Sequence, residues 1–209
     1  MDKVTASVCQ AAQTEPEALH DYGQRIKSLI SDYLGLFPAE EEPTLRLLAQ
    51  IDKGDRQLCN RSNMTGHLTA SGLLFDQESQ AVLLIEHKAL GRWLQPGGHL
   101  DLLEWPLEGA IRELQEELGL AQLVLHPWHG ANFLPLDFDS HFIPANAKKA
   151  EDEHYHHDFQ YLFVRQEGVE IELQFEEVAS YRWVGLKELL GGDFGRRLQR
   201  VAGKISALS

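Results

Sequence analysis

Three glutamates crowd into the stretch "RELQEELG" at residues 112–119, and this cluster restricts how the chain folds more than any other feature. They are Glu113, Glu116 and Glu117, and they fall within a helix predicted over residues 106–118. Like charges at helical spacing cost roughly 0.2–0.5 kcal/mol per pair. A bound divalent cation is the compensation that this pattern favours.

The same helix has an apolar face beside its acidic one. At 100° per residue one stripe is formed by Leu107, Ala110, Ile111, Leu114 and Leu118. Pro106 suits the first turn, and Gly119 follows the last one. We expect the stripe to pack on a sheet while the neighbouring arc presents carboxylates to a site. Taken alone, the acidic arc also fits a plain solvated surface.

Strand-rich segments surround this helix, so the main domain is predicted to be mixed α/β, with a sheet between layers of helices. The predicted strands cover residues 67–76, 81–88, 131–139, 158–166 and 178–184. Two further helices, at 186–190 and 194–208, close the chain. A loose tail and two earlier helices, at 15–36 and from 41, indicate an N-terminal extension over residues 1–62, ahead of a main domain at 63–209.

Composition excludes several classes of function. The 209 residues are 43% hydrophobic and carry a net charge of −13 without a polybasic run, so binding to nucleic-acid polymers or anionic membranes is not expected. No apolar run has membrane-spanning length, and the N-terminus lacks the layout of a secretion signal, so we expect a cytoplasmic protein. Cys9 and Cys59 alone give neither a disulfide framework nor a CxxC metal site.

A longer spacing pattern includes the acidic helix. Gly98 is followed after five residues by Glu104, and after seven more by the stretch that runs from Arg112 to Leu120. This arrangement resembles the Nudix box, G-x5-E-x7-R-E-U-x-E-E-x-G-U, at every specified position. The resemblance extends over about 67–190. It implies the Nudix α/β/α sandwich with a mixed sheet, with the N-terminal helices outside it.

The resemblance also implies a function. Nudix hydrolases cleave a diphosphate linkage in small phosphorylated substrates with Mg²⁺ or Mn²⁺. The implied metal ligands are Glu113 and Glu117, then Glu116, with the Gly98 carbonyl as a further candidate. Glu104 and Arg112 would hold the loop and helix together and orient these ligands. Glu116, Glu117 and Arg112 would thereby belong to the catalytic centre.

The general base is left open by this pattern. In many relatives it is a glutamate of the box or one outside it. Glu176 and Glu177 lie shortly before Trp183, where several Nudix enzymes place such a residue, and Glu177 is the preferred candidate. An exposed acidic turn is the alternative.

Two histidine-containing segments alternate in the manner of strands. In "DEHYHHDFQYLF", His154, His156 and Asp158 share one side, and "LDFDSHF" places Asp137, Asp139 and His141 in the same way. Facing strands would bring both sets together, either to recognise a phosphate or leaving group or to form a second metal site. A merely solvated polar face is the alternative.

Arg92 and Trp93 precede the box and are candidates for substrate binding, by phosphate pairing and base stacking respectively. Packing against the sheet explains Trp93 equally well.

Two other functions compete with hydrolysis. A ligand-binding or regulatory module would have lost catalysis, but such relatives usually have a degenerate box and this one is intact. A diphosphate isomerase needs a reactive cysteine, and neither Cys9 nor Cys59 lies in the main domain. The substrate stays open, and the N-terminal helices are expected to cover the domain or to form a homodimer.

Overall fold

The computed structural model describes residues 4–88, 91–147, 150–173 and 178–208, and in these ranges eight strands form one mixed sheet. The helices are α1 (Val4–Leu36), α2 (Leu45–Asp52), α3 (Pro106–Leu118), α4 (Leu186–Gly191) and α5 (Gly195–Ser206). The strands are β1 (His67–Asp76), β2 (Ala81–His87), β3 (Arg92–Leu94), β4 (Gly97–His99), β5 (Val124–Leu125), β6 (Asp137–Ile143), β7 (His154–Val164) and β8 (Val178–Gly185).

The long parallel pair of β1 and β7 forms the centre of the sheet. It runs over nine residue pairs, from His67 opposite His156 to Phe75 opposite Val164. Along its other edge β1 pairs with β4 and then with β2, both antiparallel. Strands β5 and β6 pair with β7, and strands β3 and β8 pair with β2.

Alternate residues of β1 face two different cores. Leu68, Ala70 and Leu74 belong to a cluster that includes the apolar stripe of α3, while Leu73 and Phe75 pack with residues of α4 and α5. Gly72 lies directly under α3, and a Cβ atom there would be 1.9 Å from Leu114 Cδ1. The close approach of α3 to the sheet therefore requires glycine at this position.

The N-terminal extension packs against the domain. Tyr22, Ile26 and Tyr33 of α1 are buried in the same core cluster as Leu68 and Phe138 of the sheet. The hydroxyl of Tyr33 accepts a hydrogen bond from the Phe138 amide at 3.2 Å. Helix α1 therefore covers the α3 side of the main domain.

The structure agrees locally with the expectations from sequence and differs from them at several places, among them the unpredicted short strands β3, β4 and β5. The mixed α/β sandwich is confirmed, and α3 and β1 begin and end where predicted. The strand predicted from 131 is wrong before Asp137, because Pro127–His129 form a 3-10 turn and Gly130 continues it with a φ of 54°. Strand β7 begins at His154 rather than at 158, because its first residues pair with β6.

A further difference concerns the expected N-terminal tail, since the chain is helical from Val4. None of the described helices is long and apolar enough to span a membrane.

Candidate active site

Helix α3 has well-defined ends. The Glu108 side chain accepts a hydrogen bond from the Trp105 amide at 3.1 Å, which caps the first turn. Gly119 ends the helix with a φ of 65°. Ala110, Leu114 and Leu118 are completely buried. Their packing fixes the orientation of the helix on the sheet, and with it the direction in which the carboxylates point.

Two of the three glutamates on α3 lie against the glycines of β4. Glu117 is only 7% exposed, and its Oε2 accepts a hydrogen bond from the Gly97 amide at 2.9 Å. The carboxylate of Glu113 lies beside Gly98, where a Cβ atom would come within 2.5 Å of Oε1. The Glu116 side chain, by contrast, is 58% exposed. The result is a pair of inner carboxylates with a third at the rim.

Arg112 connects these carboxylates to the loop before the helix. Its Nε and Nη2 donate to Glu104 Oε1 and Oε2 at 2.9 and 2.8 Å. Its Nη1 donates to Glu113 Oε1 at 2.8 Å and to Glu116 Oε2 at 3.3 Å, and its Nη2 also donates to the His99 carbonyl at 2.8 Å. One guanidinium thus contacts the loop, β4 and two of the three glutamates.

Burial and neighbouring charges shift the pKa values of Glu113 and Glu104. Burial raises the pKa of Glu113, and repulsion from Glu116 and Glu104 adds to the rise, against the opposing effect of Arg112. Burial would also raise the pKa of Glu104, but the hydrogen bonds from Arg112 and the Asp101 amide outweigh it and lower that pKa overall. A cation near Glu113 would relieve the repulsion. Carboxylate oxygens are the hard ligands that Mg²⁺ and Mn²⁺ prefer, so the donor set fits such an ion.

Strands β6 and β7 bring the two polar sets together, as the alternation predicted. Asp139 pairs with Asp158, and His141 pairs with His156. Burial, followed by the neighbouring histidines, lowers the pKa of His156 to about 2, so this imidazole is neutral at pH 7. Recognition of phosphate by charged histidines is therefore not supported at this position.

The acidic members of the two sets make structural contacts instead. Asp158 accepts hydrogen bonds from Thr69 at 2.9 Å and from Ser71 at 2.6 Å, and Arg197 Nη2 lies 2.7 Å from it. Asp137 is wholly buried and is surrounded by cationic groups of α5. These cations are Arg197, Arg200 and Lys204.

Sequence reasoning missed these cations, although their spacing of three and four residues places them on one face of α5. It also missed His67 and His99, which lie on the same face of the sheet as His154 and His156. Each directly follows a glycine, which is the only local signal that they carry.

The other predicted site residues are more dispersed. Arg92 is exposed on β3, and the Trp93 ring is covered by the guanidinium of Arg182 at 4.6 Å, an arrangement that favours packing over base stacking. His154 is 4% exposed and His156 is partly buried. Glu177, the preferred general base, and Glu176 lie outside the described residues.

A protein family and a known protein match most of this chain in sequence. The NUDIX domain family matches residues 65–202. A protein of Lactococcus lactis subsp. cremoris named "Probable DHNTP pyrophosphohydrolase" is 31% identical over 155 residues, which cover 74% of this chain and 84% of that protein.

Two solved structures are similar in fold. A NUDIX-family hydrolase from Clostridium perfringens has a TM-score of 0.52 at 23% identity, over 68% of this chain and 98% of the other. The E. coli dihydroneopterin triphosphate pyrophosphohydrolase has a TM-score of 0.51 at 11% identity, over 68% of this chain and 96% of the other.

Proposed function

The chain belongs to the Nudix family and is a pyrophosphohydrolase, and we propose that its reaction takes place between α3 and β4. The observation that carries this proposal is the position of Glu117, which is buried, and Glu113, whose side chain is 13% exposed, against Gly97 and Gly98. A merely solvated acidic surface would not need two carboxylates held against the glycine backbone. They are well suited to hold a cation beside a diphosphate.

We assign the residue roles as follows. Glu113 and Glu117 would hold Mg²⁺ or Mn²⁺, with Glu116 and the Gly98 carbonyl as further ligands. When bound, the ion supplies charge stabilisation at phosphorus and a more acidic water. Arg112 and Glu104 keep the two inner carboxylates in place, because their paired hydrogen bonds fix the loop relative to the helix.

The general base is part of the proposal. Glu177 remains the candidate outside the box, and Glu116 is the candidate within it, since its carboxylate is exposed beside the two inner ones. Replacement of each by glutamine, with the pH dependence of kcat measured, distinguishes them.

The substrate is proposed to be a small molecule with a di- or triphosphate chain in the cytoplasm. The name of the Lactococcus relative makes dihydroneopterin triphosphate the first compound to test. Nucleotide sugars, dinucleoside polyphosphates, ADP-ribose and oxidised nucleotides complete the panel, because selectivity depends on loops outside the box.

The alternative functions have less support. Cys59 lies before the matched range of 65–202, and burial raises the pKa of its thiol. Both facts argue against an isomerase that uses a reactive cysteine. A binding module without catalysis would have no need of the Arg112 contacts that fix the carboxylates.

The experiment is incubation of the full chain with this panel and Mg²⁺ or Mn²⁺, with products identified by mass. We expect cleavage of one phosphoanhydride bond. Glu117→Gln should lower the hydrolase activity by more than the roughly 10–100-fold that is typical when a residue hydrogen-bonded to a metal ligand is replaced. Glu108→Gln, on the same helix but exposed, serves as the matched control. Tight binding of a compound without turnover would overturn the proposal in favour of a binding module.

A further inference from the structure

Five histidines from four strands gather on one face of the sheet, and we call them the histidine cluster. They are His67 of β1, His99 of β4, His141 of β6, and His154 and His156 of β7. The chain brings them together through the strand registers, in which His156 lies opposite both His67 and His141.

Three members of the cluster form a triangle. The ring centroids of His67, His99 and His156 are separated by 4.8–5.1 Å. Each offers one ring nitrogen, and these three nitrogens lie within 4.8 Å of one another. His67 is 1% exposed, whereas His99 and His156 are partly buried. The triangle is therefore buried at His67 and partly accessible at His99 and His156.

The hydrogen bond made by His67 leaves one of its ring nitrogens available as a ligand. Its Nδ1 lies 3.2 Å from the Asn63 carbonyl, which only accepts, so Nδ1 carries the proton. Nε2 is then an acceptor, and among the described residues it is buried without a hydrogen-bond partner. A backbone carbonyl that fixes the tautomer of an imidazole, and leaves the other nitrogen bare, is the arrangement typical of a metal-bound histidine.

His154 is arranged in the same way. Its Nδ1 donates to the Asp152 carbonyl at 2.8 Å, so its Nε2 carries no proton and accepts a hydrogen bond from Nε2 of His156 at 3.2 Å. Two nitrogens on one tetrahedral zinc ion, each at 2.0–2.1 Å, are about 3.3 Å apart. This pair is already at the separation of two ligands of one ion.

We propose that His67, His99 and His156 bind one divalent transition-metal ion of the zinc class, with His154 or water in the fourth position. Imidazole nitrogen suits Zn²⁺, Ni²⁺ and Cu²⁺, whereas Mg²⁺ prefers oxygen. The widest separation of 4.8 Å has to close by roughly 1.5 Å to reach tetrahedral spacing. Rotation of the His99 and His156 rings, which are both partly buried, would have to provide this movement.

The proposed site is separate from the carboxylates on α3 in both ligands and metal. The two sites share strand β4, because His99 follows Gly98 and its carbonyl accepts the hydrogen bond from Arg112. An ion bound by His99, His67 and His156 would link β4 to β1 and β7. The proposal does not depend on hydrolase activity.

The experiment measures metal binding directly. Untagged full-length protein is freed of metal with a chelator, then titrated with Zn²⁺, and separately with Co²⁺, in excess Mg²⁺. We expect one equivalent of Zn²⁺ by calorimetry, and visible Co²⁺ absorption of a four-coordinate nitrogen site. His99→Ala and His156→Ala should each weaken binding at least about tenfold.

Two controls separate this site from others. His20→Gln changes an exposed histidine of α1 and should leave binding unchanged. Glu117→Gln should also retain Zn²⁺ binding, even where it loses turnover. Circular dichroism establishes whether each variant is folded. If one histidine variant does not fold, the zinc affinity of the other histidine variant tests the site. Absence of a stoichiometric Zn²⁺ site in the wild type, or equal affinity in a folded histidine variant, overturns the proposal.

Discussion

Arg112 and Glu104 form a two-pronged ion pair, in which Nε and Nη2 of the arginine meet the two carboxylate oxygens at 2.9 and 2.8 Å. Both side chains are largely removed from solvent, with 26% and 13% exposure. The pair joins the loop after β4 to the helix that carries the glutamates. It thereby keeps Glu113 at Gly98.

The geometry of this pair predicts the effect of Arg112→Lys. Lysine keeps the charge but lacks the planar fork, so it cannot contact Glu104, Glu113 and the His99 carbonyl together. We expect kcat to fall by about 10–100-fold and the Mg²⁺ requirement to rise, with little change in KM for substrate. Steady-state kinetics at several Mg²⁺ concentrations test this. Wild-type metal dependence in the folded variant would contradict the positioning role.

Gly98→Ala is predicted to disturb the site through Glu113. The backbone at Gly98 is not left-handed, but the added methyl group would lie 2.5 Å from Glu113 Oε1. The carboxylate has to move, and we expect the half-saturating Mg²⁺ concentration to rise about tenfold or more. Gly185→Ala, where a Cβ atom meets nothing within 4 Å, is the control. Equal metal dependence in both variants would rule out this contact as a determinant of metal binding.

The buried Asp137 is predicted to be a major source of stability. Arg200 donates to it at 2.8 and 2.7 Å, and Lys204 donates at 2.9 Å. Asp137→Asn removes the buried negative charge that these cations share, so we expect a loss of about 3–5 kcal/mol in the free energy of unfolding at pH 7. Asp52→Asn removes an exposed ion pair with Lys27 and should cost less than about 1 kcal/mol. Urea unfolding measures both.

The same residue makes a prediction about pH. Burial would raise the pKa of Asp137, but the hydrogen bonds from Arg200 and the charges of Arg197 and Lys204 outweigh it, so the pKa is lowered overall. A lowered folded pKa stabilises above the unfolded value of about 3.9, and this contribution disappears as the pH falls through the folded pKa. The difference between wild type and Asp137→Asn should therefore be constant near neutral pH and shrink below about pH 4. A constant difference down to pH 2 would contradict the assignment.

The N-terminal extension is proposed to complete the core of the main domain. A chain that begins at Met64 lacks several buried side chains of α1, each worth about 1.5–3 kcal/mol, against a typical total stability of about 5–15 kcal/mol. We expect it to aggregate or to unfold without cooperativity. In the full chain, Tyr33→Phe should cost about 1–3 kcal/mol, because the Phe138 amide loses its acceptor.

Size-exclusion chromatography and denaturant unfolding check this prediction and also test the expected homodimer. A truncated chain that is folded, equally stable and of unchanged oligomeric state would show that the extension neither completes the core nor forms a dimer.

Local signals explain what the sequence predicted well. Helix α3 was located to the residue because Pro106, Gly119 and the apolar stripe all lie within it or at its ends. The facing of β6 and β7 followed from alternation over a few residues. The placement of Glu113 and Glu117 on one arc likewise needed only the helical period.

Non-local contacts explain what it did not predict. The contribution of His67 and His99 to the histidine cluster depends on three strands that are distant in sequence. No partner was predicted for the cationic residues of α5. Asp137 was expected on a polar strand face, because alternation along the strand placed it with Asp139 and His141. The start of β6 depended on a turn at Gly130, which the apolar content of the segment concealed.

The parallel pairing of β1 with β7 also bears on how the protein is made. Partners such as Thr69 and Asp158 are 89 positions apart, and α3 lies between them. During translation α3 is synthesised before β7, so the nascent chain still lacks the central parallel strand pair when α3 is complete. Non-local strand pairing of this kind folds slowly. A chain that ends ahead of His154 would therefore lack the partner strand of β1 and expose apolar strand faces, which would make it a substrate for chaperones and proteases.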